Sequence, residues 1–290
     1  MNPLESQLEY PFGDRLPAGG TRLEVAPGVY WVRMPLPFAL DHINLWLLRD
    51  GFDGEGWTLV DCGISTQQIR DLWERIFETG LDGLPIRRIL CTHNHPDHVG
   101  LADMIQRRFG APLWMTVGEY SMGRVLSAGL AGPGGGPAAP HPPPPGSPGR
   151  APAAGPSMPA SFRRIREHET IRIGGRDWRV IIGTGHSPEH ASLYCEADGL
   201  LLSGDMVLPR ISTNVSVFEL EPEANPVDWY VESLRKFEPC RAATLVLPAH
   251  GRPFRNLHVR LRQQTEHHAE RLEVVLQACR QRPMSAAVVM

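Results

Sequence analysis

A mixed α/β (α+β) protein follows from three features of this 290-residue chain. Short runs rich in Val, Ile, Leu, Trp and Tyr, bounded by Pro and Gly, read as strands, whereas longer stretches carry apolar residues at helical spacing. The order of strands, helix and strand in the first half recurs in the second. Hydrophobic residues make up 42% of the composition, enough for a sizeable buried core.

From the amino end, TRLEV, GVYWVRM, INLWLLRD and WTLVDCG lie between residues 22 and 61, separated by turn signals such as Pro27-Gly28 and the Pro35/Pro37 pair. They predict an antiparallel meander. Ser65 or Thr66 can cap the following helix, in which Ile69, Leu72, Trp73, Ile76 and Phe77 recur at helical spacing before Gly80. RRILCT then reads as a buried strand, and residues 99–109 (VGLADMIQRRF) as a helix stopped by Gly110. Between Gly129 and Pro159 the chain is almost entirely Gly, Pro and Ala, which predicts a disordered loop over residues 130–160. Strand-like runs resume with TIRIGG, DWRVIIGT, ASLYCEADG and LLLSGD, followed by a helix over 226–237 and the strand ATLVLPAHG. Residues 257–280 form a long amphipathic helix with Leu261, His268, Leu272, Val275, Leu276 and Cys279 on one face.

Charge and cysteine content exclude several function classes. The 29 basic and 32 acidic residues give a net charge of −3, so nucleic acid is not favoured as a partner. The five cysteines are scattered without a CxxC pair and read as buried reduced thiols. Neither a leader-like amino terminus nor a long uninterrupted apolar run is visible, so a cytoplasmic protein without a membrane span is expected. Trp and Met read as core, and His141, His168, His258, His267 and His268 as surface or helix residues.

The segment THNHPDH, residues 92–98, stands where a strand hands over to a helix. Side chains two apart in extended backbone point the same way, so His93 and His95 can chelate one ion. Pro96 turns the chain, sending Asp97 and His98 toward a second position. His186 in GTGHSPEH, Asp205 in LLLSGD and His250 in LVLPAHG each follow a strand as well. Neutral imidazole and carboxylate suit zinc, and also iron or manganese. A bridging carboxylate can hold two dications about 3.5–4 Å apart, which lowers the pKa of water from 15.7 to roughly 7 and makes hydroxide at neutral pH.

The order HxHxDH, GHSPEH, SGD and PAHG resembles the metallo-β-lactamase-fold hydrolases over residues 20–280. The resemblance implies a four-layer αββα sandwich of two similar halves, with two metal ions in a groove along one edge. It places His93, His95 and His186 on the first metal, Asp97, His98 and His250 on the second, and Asp205 between them; two Zn2+ per chain are implied. Asp61 in LVDCG resembles the family's buried Asp that fixes the ligand loop, the alternative being a simple turn cap; His190, four residues after His186, is expected behind the ligands as well, and His42, Asn44 and Asn214 either face substrate or serve as polar loop residues. INLWLL, GHSPEH, SGDMVLPRISTNVS and the long helix after PAHG are most similar to the glyoxalase-II and β-lactamase-like protein 2 branches. The cysteine ligand of antibiotic-degrading zinc β-lactamases is absent, Asp205 standing at the bridging position.

The domain expected from the resemblance spans residues 1–280, interrupted by the 130–160 tract, and residues 281–290 begin a C-terminal winged-helix-like domain. The favoured activity is hydrolysis of an ester, thioester or lactone by metal-bound hydroxide, with Asp97 orienting the nucleophile and receiving its proton, and a small acyl molecule as partner. Alternatives are a phosphodiesterase or ribonuclease of the same fold, using SFRRIR and VRLRQQ on phosphates, a non-hydrolytic iron enzyme such as a sulfur dioxygenase, and an inactive metal-binding protein. The oligomeric state stays open.

Overall fold

In the computed structural model the described residues are 3–129, 157–218, 220–283 and 285. The first sheet starts with the antiparallel strands β1 (Arg22–Ala26), β2 (Val29–Pro35), β3 (His42–Asp50) and β4 (Gly56–Val60). Helix α1 (Gln67–Arg75) is capped by Thr66, whose side chain accepts from the Ile69 amide at 3.3 Å. It passes into a π-helical turn over Ile76–Gly80. Strand β5 (Ile86–Leu90) then runs parallel to β4.

The helix expected over 99–109 is two pieces, α2 (Pro96–Val99) and α3 (Ala102–Phe109). The Cys62 amide donates to the His98 carbonyl at 2.6 Å, an oxygen that a continuous helix would use internally, so the helix breaks there. Gly110 ends α3 at φ +68°, the left-handed conformation that glycine adopts without strain. Strand β6 (Leu113–Met115) and helix α4 (Val117–Ser127) follow, and the short β7 (Arg163–Arg164) completes the sheet. Neither β6 nor α4 stood out in the sequence. The Gly/Pro/Ala tract falls mostly outside the described residues, as do Met284 and the last residues, 286–290.

The second sheet holds β8 (Thr170–Ile173), β9 (Arg176–Gly183), β10 (His190–Cys195), β11 (Leu200–Gly204) and, after α5 (Pro226–Arg235), β12 (Leu245–Pro248). Helix α6 (Leu257–Gln281) closes the described fold. Three separate apolar cores make this a four-layer αββα sandwich. One packs α1 and α3 on the outside of the first sheet through Ile69, Trp73 and Ile105. A second joins the sheets, with Trp31, Trp46 and Trp114 facing Trp178, Val180 and Leu193. The third seats α5 and α6 on the second sheet through Tyr230, Leu234, Leu257 and Leu261. Sheet faces in the middle are covered on both sides, so β4, β10, β11 and β12 are buried along their whole length.

Strand direction positions everything that follows. β4, β5, β6 and β7 run parallel to one another, and so do β9, β11 and β12 once the antiparallel β10 is counted between them. At one end of the sandwich the two sheets are joined directly: the Ala191 amide donates to the Thr92 carbonyl at 2.9 Å, and the Asn44 amide to the Ala249 carbonyl at 2.7 Å.

Three expectations are corrected. On α6, Leu272, Val275, Leu276 and Cys279 are exposed, because the helix runs past the sandwich and only its first turns, with Leu257 and Leu261, lie on the sheet. Cys279 is therefore not a buried thiol, although Cys62, Cys91, Cys195 and Cys240 are. Trp229 is the tryptophan that escapes the core, 38% exposed on α5. Among the described residues no helix is long and apolar enough to cross a membrane.

At the end remote from His93, a buried ion pair closes the sandwich. Arg88 donates to Asp50, Thr58 and the Arg172 carbonyl, and stacks over Trp114, while Asp50 also accepts from the Gly174 amide. Asp50→Ala leaves that guanidinium buried without its counter-charge. It should lower unfolding stability by about 3–5 kcal/mol in urea titration, with metal content unchanged because the pair lies at the other end of the strands.

Candidate metal centre

The strand ends converge on one patch. Asp61 follows β4, THNHPDH follows β5, His186 follows β9, Asp205 follows β11 and His250 follows β12, while His190 and His42 begin β10 and β3. Ligand atoms of His93, His95, His186 and Asp205 lie within 4.8 Å of one another, and those of Asp97, His98 and His250 form a second group within the same limit. Asp205 reaches both groups: one carboxylate oxygen lies 3.3 Å from His186 Nε2, the other 3.4 Å from His250 Nε2 and 3.7 Å from His98 Nε2. Asp97 lies 3.5 Å from His250 Nε2 and 3.7 Å from His98 Nε2.

Four of the five imidazoles are oriented from behind. His186 Nδ1 donates to the Asn214 carbonyl at 2.7 Å, and His250 Nδ1 to the His42 carbonyl at 2.7 Å. A carbonyl only accepts, so in the neutral rings the proton sits on Nδ1 and the Nε2 lone pair faces the centre. His98 Nδ1 donates to Asp61 Oδ2 at 2.8 Å, with the same result. The Thr92 hydroxyl gives its proton to Asp61 and receives His93 Nδ1–H at 3.0 Å. His93 Nε2 consequently stands 3.1 Å from His186 Nε2 and 2.9 Å from His95 Nδ1.

Lone pairs at such distances repel unless a cation lies between them. His98 Nε2 and Asp205 Oδ1 are buried without a hydrogen-bond partner, which is the condition of ligands awaiting a metal. The donor set, all nitrogen and oxygen, fits zinc, iron or manganese. Electrostatics agree. Burial, reinforced by the neighbouring histidines, holds His93 and His95 well below the usual imidazole range. Burial also opposes charge on His98 and His250, but the surrounding carboxylates overcome it and raise both, Asp61 acting first on His98 and Asp205 on His250. The Asp205 carboxyl is held well below its ordinary value by His250 and His98 against the opposing effect of burial. This end of the sandwich therefore draws positive charge.

The residues behind the ligands are tied into the backbone. Asp61 adopts φ +60°, an uncommon conformation for a residue other than glycine, and its carboxylate takes the Thr92 amide at 2.8 Å. His190 is pushed down to about 3 by burial, so it stays neutral and accepts the Asp205 amide at 3.0 Å. Gly204 sits at φ +51°, and a Cβ there would strike the His190 ring, so glycine is what lets His190 approach.

Two of the substrate-facing expectations are corrected. Asn44 is fully buried: its side-chain oxygen accepts from Trp31 Nε1, and its amide nitrogen donates to the Pro248 and Gly251 carbonyls. It clamps the His250 loop and has no polar group left for a substrate. His42 spends one ring nitrogen on Asp41 and the other on the Gly251 amide, while its carbonyl orients His250. Asn214 does line the groove beside His186, Asp205 and His250. His267 and His268 line it too, with Arg271, and so are more than helix surface.

The sequence reading missed Glu119. Buried on α4, its carboxylate accepts from Ser187 Oγ at 2.6 Å, the Glu189 amide at 2.7 Å and the Asn94 amide at 2.9 Å, and also from the Asn94 side chain. Burial raises its pKa despite these donors. Glu119 thus pins the His93/His95 loop to the His186 loop. A lone Glu inside a helix gives no such signal; only the unsatisfied amides of two facing loops reveal it. Asp61→Asn and Glu119→Ala should each weaken metal affinity by about 10–100-fold in competition with a chromogenic chelator.

With this geometry in place, the comparisons are specific. The metallo-beta-lactamase superfamily model matches residues 39–250. The crystal structure of a beta-lactamase domain protein from Burkholderia ambifaria is 52% identical, with a TM-score of 0.89 over 99% of this chain and 86% of that one. The probable metallo-hydrolase YqjP of Bacillus subtilis (strain 168) is 26% identical over 275 residues, 88% of this chain and 81% of the relative. A beta-lactamase-like protein 2 homolog from Caenorhabditis elegans is 24% identical, covering 85% of this chain and 68% of the relative. The sandwich, the strand-end ligand clusters and these relatives together make this chain a member of the metallo-beta-lactamase superfamily.

Proposed function

We propose that the chain is a dinuclear-metal hydrolase acting on an ester, thioester or lactone. The observation that carries this reading is Asp205, whose two oxygens reach both ligand groups, at 3.3 Å from His186 and 3.4 Å from His250. His93, His95 and His186 would hold one ion and Asp97, His98 and His250 the other, with Asp205 within reach of both groups. When bound, two dications supply Lewis acidity toward an acyl oxygen and lower the pKa of water.

The chain's own groups do the rest. Asp97 is 19% exposed, against 8% for Asp205, and so is the more water-accessible carboxylate of the cluster, while Asp205 lines the groove. It orients the attacking water and accepts its proton. Asp61, Thr92 and the His42 and Asn214 carbonyls keep the lone pairs of His98, His93, His250 and His186 aimed inward. Asn214 borders the substrate groove, where Arg271 offers charge to a departing group.

Phosphodiester hydrolysis is the weaker reading. Of the basic clusters it relies on, Arg260 is buried and donates to the Leu208 and Ile211 carbonyls, and Arg163 lies over the Trp114 ring with Glu169 beside it. Arg163, Arg164, Arg166 and Arg262 are exposed, yet none of them lines the groove or the cavity beside the ligand clusters.

Elemental analysis of freshly purified protein should find two transition-metal ions per chain, and it identifies zinc, iron or manganese directly. His95→Ala and Asp205→Ala should lose metal and depress kcat/KM beyond the roughly 10–100-fold typical of a group behind a ligand. Asp97→Asn keeps an oxygen toward the second ion but loses the proton acceptor, so it should weaken metal binding less than Asp205→Ala does and lower kcat of the metal-loaded protein by about 10²–10⁴-fold. Full turnover of a thioester or lactone by the metal-free Asp205→Ala protein would reject the assignment.

A further inference from the structure

Beside His95, on the side away from Arg271, opens a second cavity of about 470 Å³. Its size suits a small organic ligand. Met122 and Leu126 of α4 form one wall, and Phe218, Leu220, Pro226 and Trp229 the other. Asn94 and His95 stand at its inner end, so the cavity is continuous with the ligand cluster. Among the described lining residues, His95 and Glu221 alone are ionisable, and no Lys or Arg contributes. Leu220 and Trp229 are 54% and 38% exposed, large apolar surface left open beside a reactive centre. The groove across the cluster has the opposite character, with His267, His268 and Arg271 in its wall.

We propose that this cavity receives the acyl chain of the substrate, which is therefore an ester, thioester or lactone of an apolar carboxylic acid of medium length; the inference rests on the hydrolase reading and narrows it. Hydrolysis forms a bond from water oxygen to the acyl carbon and breaks the bond from that carbon to the alcohol oxygen or thiol sulfur. The leaving alkoxide or thiolate takes up a proton, and the acid remains as a carboxylate. A departing anion is better served by the groove with Arg271 than by a cavity without Lys or Arg. An alkyl tail is better served by the apolar walls. A phosphorylated or otherwise anionic acyl group would meet Glu221 with no compensating charge.

The test uses the metal-loaded protein and two series of esters. With a constant p-nitrophenol leaving group and the acyl part lengthened from acetyl through hexanoyl to decanoyl, kcat/KM should climb roughly fourfold per buried methylene until the cavity is full. With a constant acetyl group and the alcohol lengthened instead, the profile should stay flat. Ala224→Trp, which narrows the cavity, should move the maximum to shorter acyl chains at unchanged metal content. Independently of turnover, octanoate should perturb tryptophan fluorescence of the metal-free protein, and Trp229→Phe should abolish the response. Hydrolysis that ignores acyl length, or that follows the alcohol, would overturn the inference and leave the hydrolase reading intact. Octanoate binding at Trp229 in a metal-loaded protein that hydrolyses no acyl substrate would overturn the hydrolase reading and retain the apolar site.

Discussion

Lone pairs aimed at one another are the constraint on which this structure turns. Imidazole nitrogens and carboxylate oxygens from four strand ends point into one small volume, where ring nitrogens of His93, His95 and His186 lie 2.9–3.1 Å apart. A chain free to relax would turn those rings away. It does not, because most of the rings are held from behind: His98 by the Asp61 carboxylate, His93 by the Thr92 hydroxyl, His250 by the His42 carbonyl and His186 by the Asn214 carbonyl. The protein thus bears the crowding in advance, and a cation held there would relieve it.

The sandwich makes this possible by geometry that has little to do with metals. Parallel strands bring their carboxyl ends to one edge, and the two sheets are joined there by the Ala191–Thr92 and Asn44–Ala249 bonds. Around that seam, local strain is accepted where it helps: Asp61 at φ +60° turns its carboxylate back onto the THNHPDH loop. The opposite end carries the Asp50–Arg88 pair and no candidate ligands, so stability and chemistry are separated along the strands.

What the sequence disclosed depended on how local each signal was. HxHxDH was legible because its spacing alone dictates convergence, and His186, Asp205 and His250 because each follows an apolar run that could only be a strand. Glu119 was not legible, since its role exists only between two loops that are distant in sequence from it and brought together by the fold. Asn44 misled for a related reason: a polar residue at a strand start looks available to substrate until the His250 loop closes over it. The far half of α6 misled by periodicity, because an apolar stripe tells which face would be buried and not whether anything lies against it. β6 was obscured by its three-residue length, and α4 by the glycines within it, Gly118 and Gly123, and by the low-complexity tract that follows.

Ligands and cavity walls come from different classes of element, and this has a consequence for how such a protein can change. The metal-facing residues sit at the ends of buried strands, where a shift of one side chain disturbs its partner behind and the sheet it belongs to. The walls beside His95 come from α4, the irregular segment carrying Phe218 and Leu220, and the exposed face of α5 around Trp229. Substitutions there alter shape and polarity without touching a ligand or its orienting partner. Glu119 is the exception that connects the two, since α4 presents it to the ligand loops while Met122 and Leu126 of the same helix face the cavity. A displacement of α4 would therefore act on the metal site as well as on substrate fit, which makes that helix the one wall of the cavity that is not free to vary.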